Sequence, residues 1–257
     1  MQKIILFLFR GFPMKQYESV IKVMEKNGGY ATLGQLYQNA LKVPGVIWNT
    51  KTPFASIRRI VQDERFFFKI KPGLWALKEY KSKLPEYIYP RKETSPQNVE
   101  EYSHSYYQGL LLEIGNLKNF KTFVTPQDKH KKYLDTELGK VSSLRNLYHF
   151  SYNNIVRKAQ SVDVIWFNDR KMPDSFYEIE HSTNIFNSLL KFVEFRDFYS
   201  KFYIVADKNR KKEFINKLSY NSFNFIRTRI QFLGYDTLSK WNTKVHELSI
   251  IENNILL

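Results

Sequence analysis

The chain has 257 residues, 43% of them hydrophobic and 16% aromatic, which is enough apolar side chain for one large core or two ordinary ones and excludes a disordered chain. It contains no cysteine, so disulfides, thiolate zinc sites and cysteine nucleophiles are excluded, in keeping with a reducing, cytoplasmic setting. A formal net charge of +15 points to a polyanionic partner, nucleic acid before an anionic membrane surface.

The opening run MQKIILFLF is apolar but too short to span a bilayer. Arg10 ends it and no small-residue cleavage site follows, so a buried strand or packed arm is expected rather than a signal peptide. No later stretch reaches transmembrane length, and no membrane partner is expected. Tyr17, Val20, Ile21 and Met24 recur at helical spacing and stop at Gly28-Gly29, predicting a first helix. TLGQLYQNALK predicts a second, short one. In NTKTPFASIRRIVQDE, Thr52 is the expected N-cap and Pro53 the first residue of a third helix. Phe54, Ile57, Ile60 and Val61 make its apolar stripe, which leaves Ser56, Arg58, Arg59 and Gln62 facing outward. RFFFKIKPGLWALKEY alternates on both sides of Lys71-Pro72-Gly73 and predicts a hairpin carrying Lys69 and Lys71. Residues 1–82 hold 14 Lys and Arg against 5 Asp and Glu, and the remainder 26 against 20, so the N-terminal segment has the denser positive field.

KSKLPEYIYPRKETSPQN has three prolines and little period and reads as a linker. The expected organisation is a first domain over 1–82, a linker over 83–97 and a second domain over 98–257. In the second, EEYSHSYYQGLLLEIGNL predicts a helix and FKTFVTP a strand. A looser Lys-rich region with short helices runs to about Asn153. Strands VDVIWF and SFYEIEH, helix NIFNSLLKFVEFRDFY, strand KFYIVAD, helix RKKEFINKL, strand IQFLGY and a last short helix complete the chain. This alternation implies an α/β sheet with helices packed on it.

Acids on strands are costly unless exposed, paired or bound to a cation. Side chains alternate along SFYEIEH, so Glu178 and Glu180 share one face and Ile179 points the other way. If the strand that follows Asp163 pairs beside it, three carboxylates converge. Such a cluster repels itself, and either raises carboxylate pKa values or recruits a divalent metal. An all-oxygen donor set suits Mg²⁺ or Mn²⁺ rather than zinc. By alternation His181 turns away from Glu180 and reads as a structural, hydrogen-bonding histidine. Ser182 and Thr183 are expected to cap the next helix. His104, His130, His149 and His246 show no zinc spacing, and no Gly-rich phosphate loop appears, so no nucleotide cofactor is expected.

Three helices and a basic hairpin form the pattern of a winged helix. PFASIRRIV and FFFKIKPGLWAL resemble the winged-helix domains fused to some bacterial restriction enzymes. That resemblance implies a third helix entering the major groove with Ser56, Arg58, Arg59 and Gln62, and a wing touching the backbone through Lys69 and Lys71. An acid at one strand start, followed 15 residues later by acid-x-acid on the next strand, resembles the PD-(D/E)XK nuclease signature over about Glu100 to Tyr235. The resemblance implies α+β or α/β architecture, a winged helix followed by a PD-(D/E)XK nuclease-like core. By the same match Asp163 and Glu178 are the metal ligands, with the Ile179 carbonyl as a third. Glu180 stands where the family has lysine, and is expected to accept or orient the proton of the attacking water. A carboxylate there also favours a second metal.

Glu113 matches an acid on the family's first core helix that reaches the metal, or else is a helix-end acid facing solvent. Lys191, on the helix after the active strand, reads as a surface lysine beside Phe192 and Phe195, or, as the resemblance implies, as a migrated lysine that returns the missing positive charge. YEIEHST and IVADKNRKKEF are similar to a subgroup of winged-helix restriction endonucleases. The expected activity is Mg²⁺-dependent hydrolysis of duplex DNA by a homodimer, with Mn²⁺ as the alternative cation. Two other readings stay open: a DNA-binding regulator or adaptor with a catalytically inactive nuclease-like domain, and a repair or structure-specific nuclease.

Overall fold

The helical period that begins at Tyr17 becomes α1 (Gln16–Lys26), which buries Val20, Val23 and Met24 and keeps Lys22, Glu25 and Lys26 in water. The computed structural model describes residues 14–255, so the apolar run at 1–9 lies outside the described residues. The chain divides into two units, Met1–Leu84 and Pro85–Leu257.

In the first unit, β1 (Tyr30–Thr32) follows α1, and the Thr32 side chain caps α2 (Leu33–Asn39) by accepting from Gln35 N. α3 (Pro53–Ile60) starts at its proline. Thr52 stands at the N-cap position, but its hydroxyl makes no capping bond. β2 (Phe67–Lys71) and β3 (Leu74–Leu77) form the expected hairpin, and β1 adds to it in the antiparallel order β1-β3-β2. Its turn needs a left-handed residue, supplied by Gly73 at φ +79°. Ile57 and Val61 of the third-helix stripe are buried, while Phe54 and Ile60 are only half-buried.

The second unit opens with α4 (Pro96–Leu117). Ser95 caps it by accepting from Asn98 N at 3.2 Å, so the helix starts ahead of the expected EEYSH segment. β4 (Lys121–Val124) follows, then the small hairpin β5 (Lys132–Tyr133) and β6 (Thr136–Glu137), and two short helices, α5 (Leu138–Val141) and α6 (Asn153–Ala159). β7 (Val164–Phe167), β8 (Pro173–Glu180), α7 (Ile185–Val193), β9 (Lys201–Ala206), α8 (Lys211–Leu218), β10 (Ile230–Gly234) and α9 (Tyr235–Ile255) complete it.

One five-stranded sheet, ordered β10-β9-β8-β7-β4, organises this unit. β4, β7 and β8 run antiparallel to one another, whereas β8, β9 and β10 are parallel and joined through α7 and α8. One face carries Ile165, Phe167, Phe176, Phe202 and Ile204 against Ile185, Leu189 and Phe192 of α7 and Phe214 of α8. The other carries Trp166 and Tyr177 (rings 4.7 Å apart) and Tyr203, with Trp241 of α9 5.5 Å from Trp166. Alternation along β8 therefore puts Glu178 and Glu180 on the face of Phe176, under α7.

The last helix has 21 residues rather than the short span its pattern suggests. Ser239, Asn242, Thr243 and His246 recur at helical spacing and are buried, so the inward face of α9 is polar and leaves little hydrophobic period to read.

α4 lies close enough to β4 and β7 that Gly115 has no room for a side chain. A Cβ there would sit 2.4 Å from Thr122 Cγ2 and 2.7 Å from Trp166 Nε1. Gly115→Ala gains at most ~1 kcal/mol of helix propensity and forces an overpacked contact costing about 1–3 kcal/mol. The variant should unfold at lower denaturant concentration than the wild type. A midpoint equal to or above the wild type's would mean that α4 does not rest this closely on the sheet.

Candidate active site

The antiparallel register of β7 and β8 pairs Val164 with Tyr177, so Asp163, one residue before β7, falls opposite Glu178. Its Oδ2 accepts the Ile179 N–H at 2.7 Å, which locks the carboxylate to β8. Asp163, Glu178, Glu180 and Lys191 all line one open pocket of about 490 Å³. Lys191, from the last turn of α7, places Nζ 2.8 Å from both oxygens of Glu178 and 2.9 Å from the Ser161 carbonyl. Ser188, one turn earlier, donates to Glu180 Oε1 and approaches Glu178 Oε2 at 3.4 Å. Thr183 donates to Glu180 Oε2.

Ser182 and Thr183 do not cap α7. Asn184 occupies that position and accepts from Phe186 N at 3.0 Å, which frees Thr183 for Glu180 and Ser182 for Glu100 Oε2 at 2.8 Å. The loop they sit on is tied down by Arg210. Its guanidinium donates to the carbonyls of His181 (2.9 Å) and Thr183 (2.6 Å) while pairing with Glu213. His181 turns to the other side of β8, as alternation requires, and its Nδ1 lies 2.7 Å from the Tyr235 hydroxyl, whose ring stacks on Tyr107 at 3.8 Å.

Besides Ser188, Lys131 and Glu100, His104 and Asp128 enter this site without having been anticipated from the sequence. His104, on α4, has Nε2 3.4 Å from Asp163 Oδ1 and 3.8 Å from Asp128 Oδ2. Asp128, in the turn after β4, is buried and accepts from Gln108 Nε2 and Lys131 Nζ at 2.7 and 2.8 Å. The only sequence signal was the four-residue spacing of Glu100 and His104, which puts both on one face of α4. Glu113 lies nine residues beyond His104, two and a half turns on and hence on the opposite side of the helix. It accepts from Asn242 Nδ2 at 2.9 Å, lies 3.2 Å from His246 Nε2, and does not line the pocket.

The pocket is acidic in a chain that is strongly basic. Glu100, Glu101, Asp128, Asp163, Glu178 and Glu180 face Lys131 and Lys191. Burial and the Asp163 charge push the Glu178 carboxyl well above the usual carboxylate range, against the pull of Lys191. Burial raises Glu180 too, partly offset by the Ser188 hydroxyl. For Asp163 burial also pushes upward, but His104, the Ile179 N–H and Lys191 outweigh it and hold the group below its ordinary value. His104 is pulled down by burial and raised by Asp163 and Asp128, and ends above its ordinary value. Buried carboxylates that outnumber their cationic partners fit a divalent cation, and His104, Asp128 and Asp163 hold ligand atoms within 4.8 Å of one another.

The residues expected to meet DNA lie in the first unit. Arg59 and Gln62 are exposed, and Ser56 is half-buried on α3. Arg58 is half-buried, with Nη1 donating to the Tyr37 hydroxyl at 2.8 Å. On the hairpin Lys69 is exposed, whereas burial pulls the Lys71 ammonium down to about 8. Among the described residues, no helix is long and apolar enough to cross a membrane.

The family described as the type II restriction enzyme NmeDI C-terminal domain matches residues 79–256. The type II restriction enzyme NmeDI of Neisseria meningitidis serogroup C is 26% identical over 122 residues, which cover 43% of this chain and 35% of that protein. The matched region thus spans about a third of the relative's length. No solved structure matches the chain. Residues 79–256 carry the whole pocket, and through them the chain belongs to the family of the type II restriction enzyme NmeDI C-terminal domain.

Proposed function

We propose that the chain is a metal-dependent deoxyribonuclease of the type II restriction kind, hydrolysing phosphodiester bonds in duplex DNA. In this reading the second unit has the PD-(D/E)XK arrangement, the first is a winged helix that recognises DNA, and the enzyme acts as a homodimer without a nucleotide cofactor. The observation that carries it is the convergence of Asp163, Glu178, Glu180 and Lys191 on one pocket, inside the region matched to a restriction-enzyme family.

Asp163 and Glu178 would hold the cation, Mg²⁺ or Mn²⁺, through oxygen donors. When bound, such a cation neutralises phosphate charge and lowers the pKa of a water molecule. Glu180, held by the hydroxyls of Ser188 and Thr183, orients the attacking water and takes its proton, a role for which a raised carboxyl pKa is suited and which contributes on the order of 10²–10⁴-fold. Lys191 keeps Glu178 in place and presents positive charge where the phosphate enters. Glu113, paired with Asn242 and His246, supports α4 against α9 and acts on the site only through that packing. In the first unit Arg59 and Lys69 are the exposed cations for phosphate, Ser56 and Gln62 are candidates for base edges, and Arg58 and Lys71 shape the surface they lie on.

Asp163→Asn and Glu178→Gln should each lower plasmid cleavage at least about 10²-fold while duplex binding in a gel shift stays at the wild-type level, because neither change removes basic surface. Cleavage at the wild-type rate by either variant would show the site to be misassigned. Arg59→Ala should weaken binding to all sequences alike and reduce the slope of log K against log salt by about 1, as expected of one lost phosphate contact. An unchanged slope would take α3 out of the DNA interface.

A further inference from the structure

Asp163 has two oxygens in different surroundings. Oδ2 is committed to the Ile179 N–H. Oδ1 faces the His104 Nε2 at 3.4 Å, and Asp128 Oδ2 lies 3.8 Å from the same nitrogen. These separations are long for hydrogen bonds. They are, however, the spacing of ligands that share one ion, since donors about 2.1 Å from a common cation stand roughly 3–4 Å apart. The three donors come from separate segments, α4, the turn after β4 and the start of β7. Two neighbours prepare Asp128 for the part: Lys131 takes its Oδ1, and Gln108 Nε2 steadies its Oδ2. Gln108 is fully buried, one turn along α4 from His104, and among the described residues its Oε1 has no hydrogen-bond partner. Such an orphaned buried oxygen beside a ligand set is a place where a cation or its water shell is expected.

We propose that His104, Asp128 and Asp163 form a second divalent-cation position of mixed nitrogen and oxygen donors, sharing Asp163 with the Asp163–Glu178 pair and selective for Mn²⁺ over Mg²⁺. The imidazole sets that preference, because nitrogen donors favour transition metals and Mg²⁺ prefers oxygen alone. The proposal rests on the metal-dependent reading of this pocket, so its test reads metal binding and not cleavage.

The full chain, without DNA, is titrated with Mn²⁺ and followed by electron paramagnetic resonance, with spin-echo detection of nitrogen coupled to the ion. The wild type should show imidazole nitrogen on bound Mn²⁺, displaced by Mg²⁺ only in large excess. His104→Gln should abolish the nitrogen signal and weaken Mn²⁺ binding at least about tenfold. Asp128→Asn should weaken binding but keep the signal. His181→Gln, which alters a second imidazole whose ring lies 6.0 Å from that of His104, and Glu178→Gln should both retain it. Thermal melting without metal checks that the variants are folded, and since His104 is only half-buried its variant carries the decision. Bound Mn²⁺ without coupled nitrogen in the wild type, or a signal that survives His104→Gln, overturns the proposal and leaves the nuclease reading standing. A wild-type chain that takes up no Mn²⁺ also overturns the proposal, and metal-dependent plasmid cleavage then decides the nuclease reading on its own.

Discussion

Lys191 reaches both oxygens of Glu178 at 2.8 Å, and that contact allows a carboxylate to sit buried in the middle of a sheet. An unpaired charge at such a place costs several kcal/mol, and breaking a buried pair typically costs about 3–5 kcal/mol. The parallel crossover from β8 to β9 makes the pairing possible, because it returns the chain over the strand as α7 with Ser188 and Lys191 on the face toward the glutamates. With Glu178 partnered by an ammonium and Glu180 by two hydroxyls, the residual negative charge gathers around Asp163 and Asp128. His104 and Lys131 offset it only in part.

Much of this arrangement was legible in the chain. The two-residue period of SFYEIEH put Glu178 and Glu180 on one face. The pairing of its strand with VDVIWF brought Asp163 opposite them, whereas Lys191 was suggested only by family resemblance and its contact with Glu178 follows from how α7 packs over β8. Other parts were not legible, for a common reason: they depend on which distant segments meet. His104 and Asp128 come from elements whose local patterns say nothing of metal or acid, and only the packing of α4 beside the start of β7 unites them with Asp163. Glu113 shows the reverse. It looks like a site acid in its local context, yet helix phase turns it toward α9. The length of α9 was hidden by its polar inward face, since Asn242 and His246 are buried to satisfy Glu113 and not to fill an apolar core. Thr183 was legible as a hydroxyl near a helix start, but Asn184 is the better placed cap and leaves Thr183 to Glu180.

The charge distribution ties the two units to one proposed task. A chain of net charge +15 should hold a polyanion, and the exposed Arg59 and Lys69 suit that role. The pocket taken alone would repel a phosphate. A divalent cation would resolve the conflict by giving the backbone something to bind among the carboxylates, which is why the proposed function is metal-dependent. Membership of a restriction-enzyme family is consistent with that chemistry.

The most direct measurement incubates the purified chain with methylated and unmethylated plasmid in Mg²⁺, Mn²⁺ or EDTA. The account predicts discrete fragments in the presence of metal and intact plasmid in EDTA, and the choice between the two plasmids would reveal any modification that is read. Plasmid left uncut under every metal, yet retarded on a gel, would contradict it and make the protein a DNA-binding regulator with an inactive nuclease-like domain.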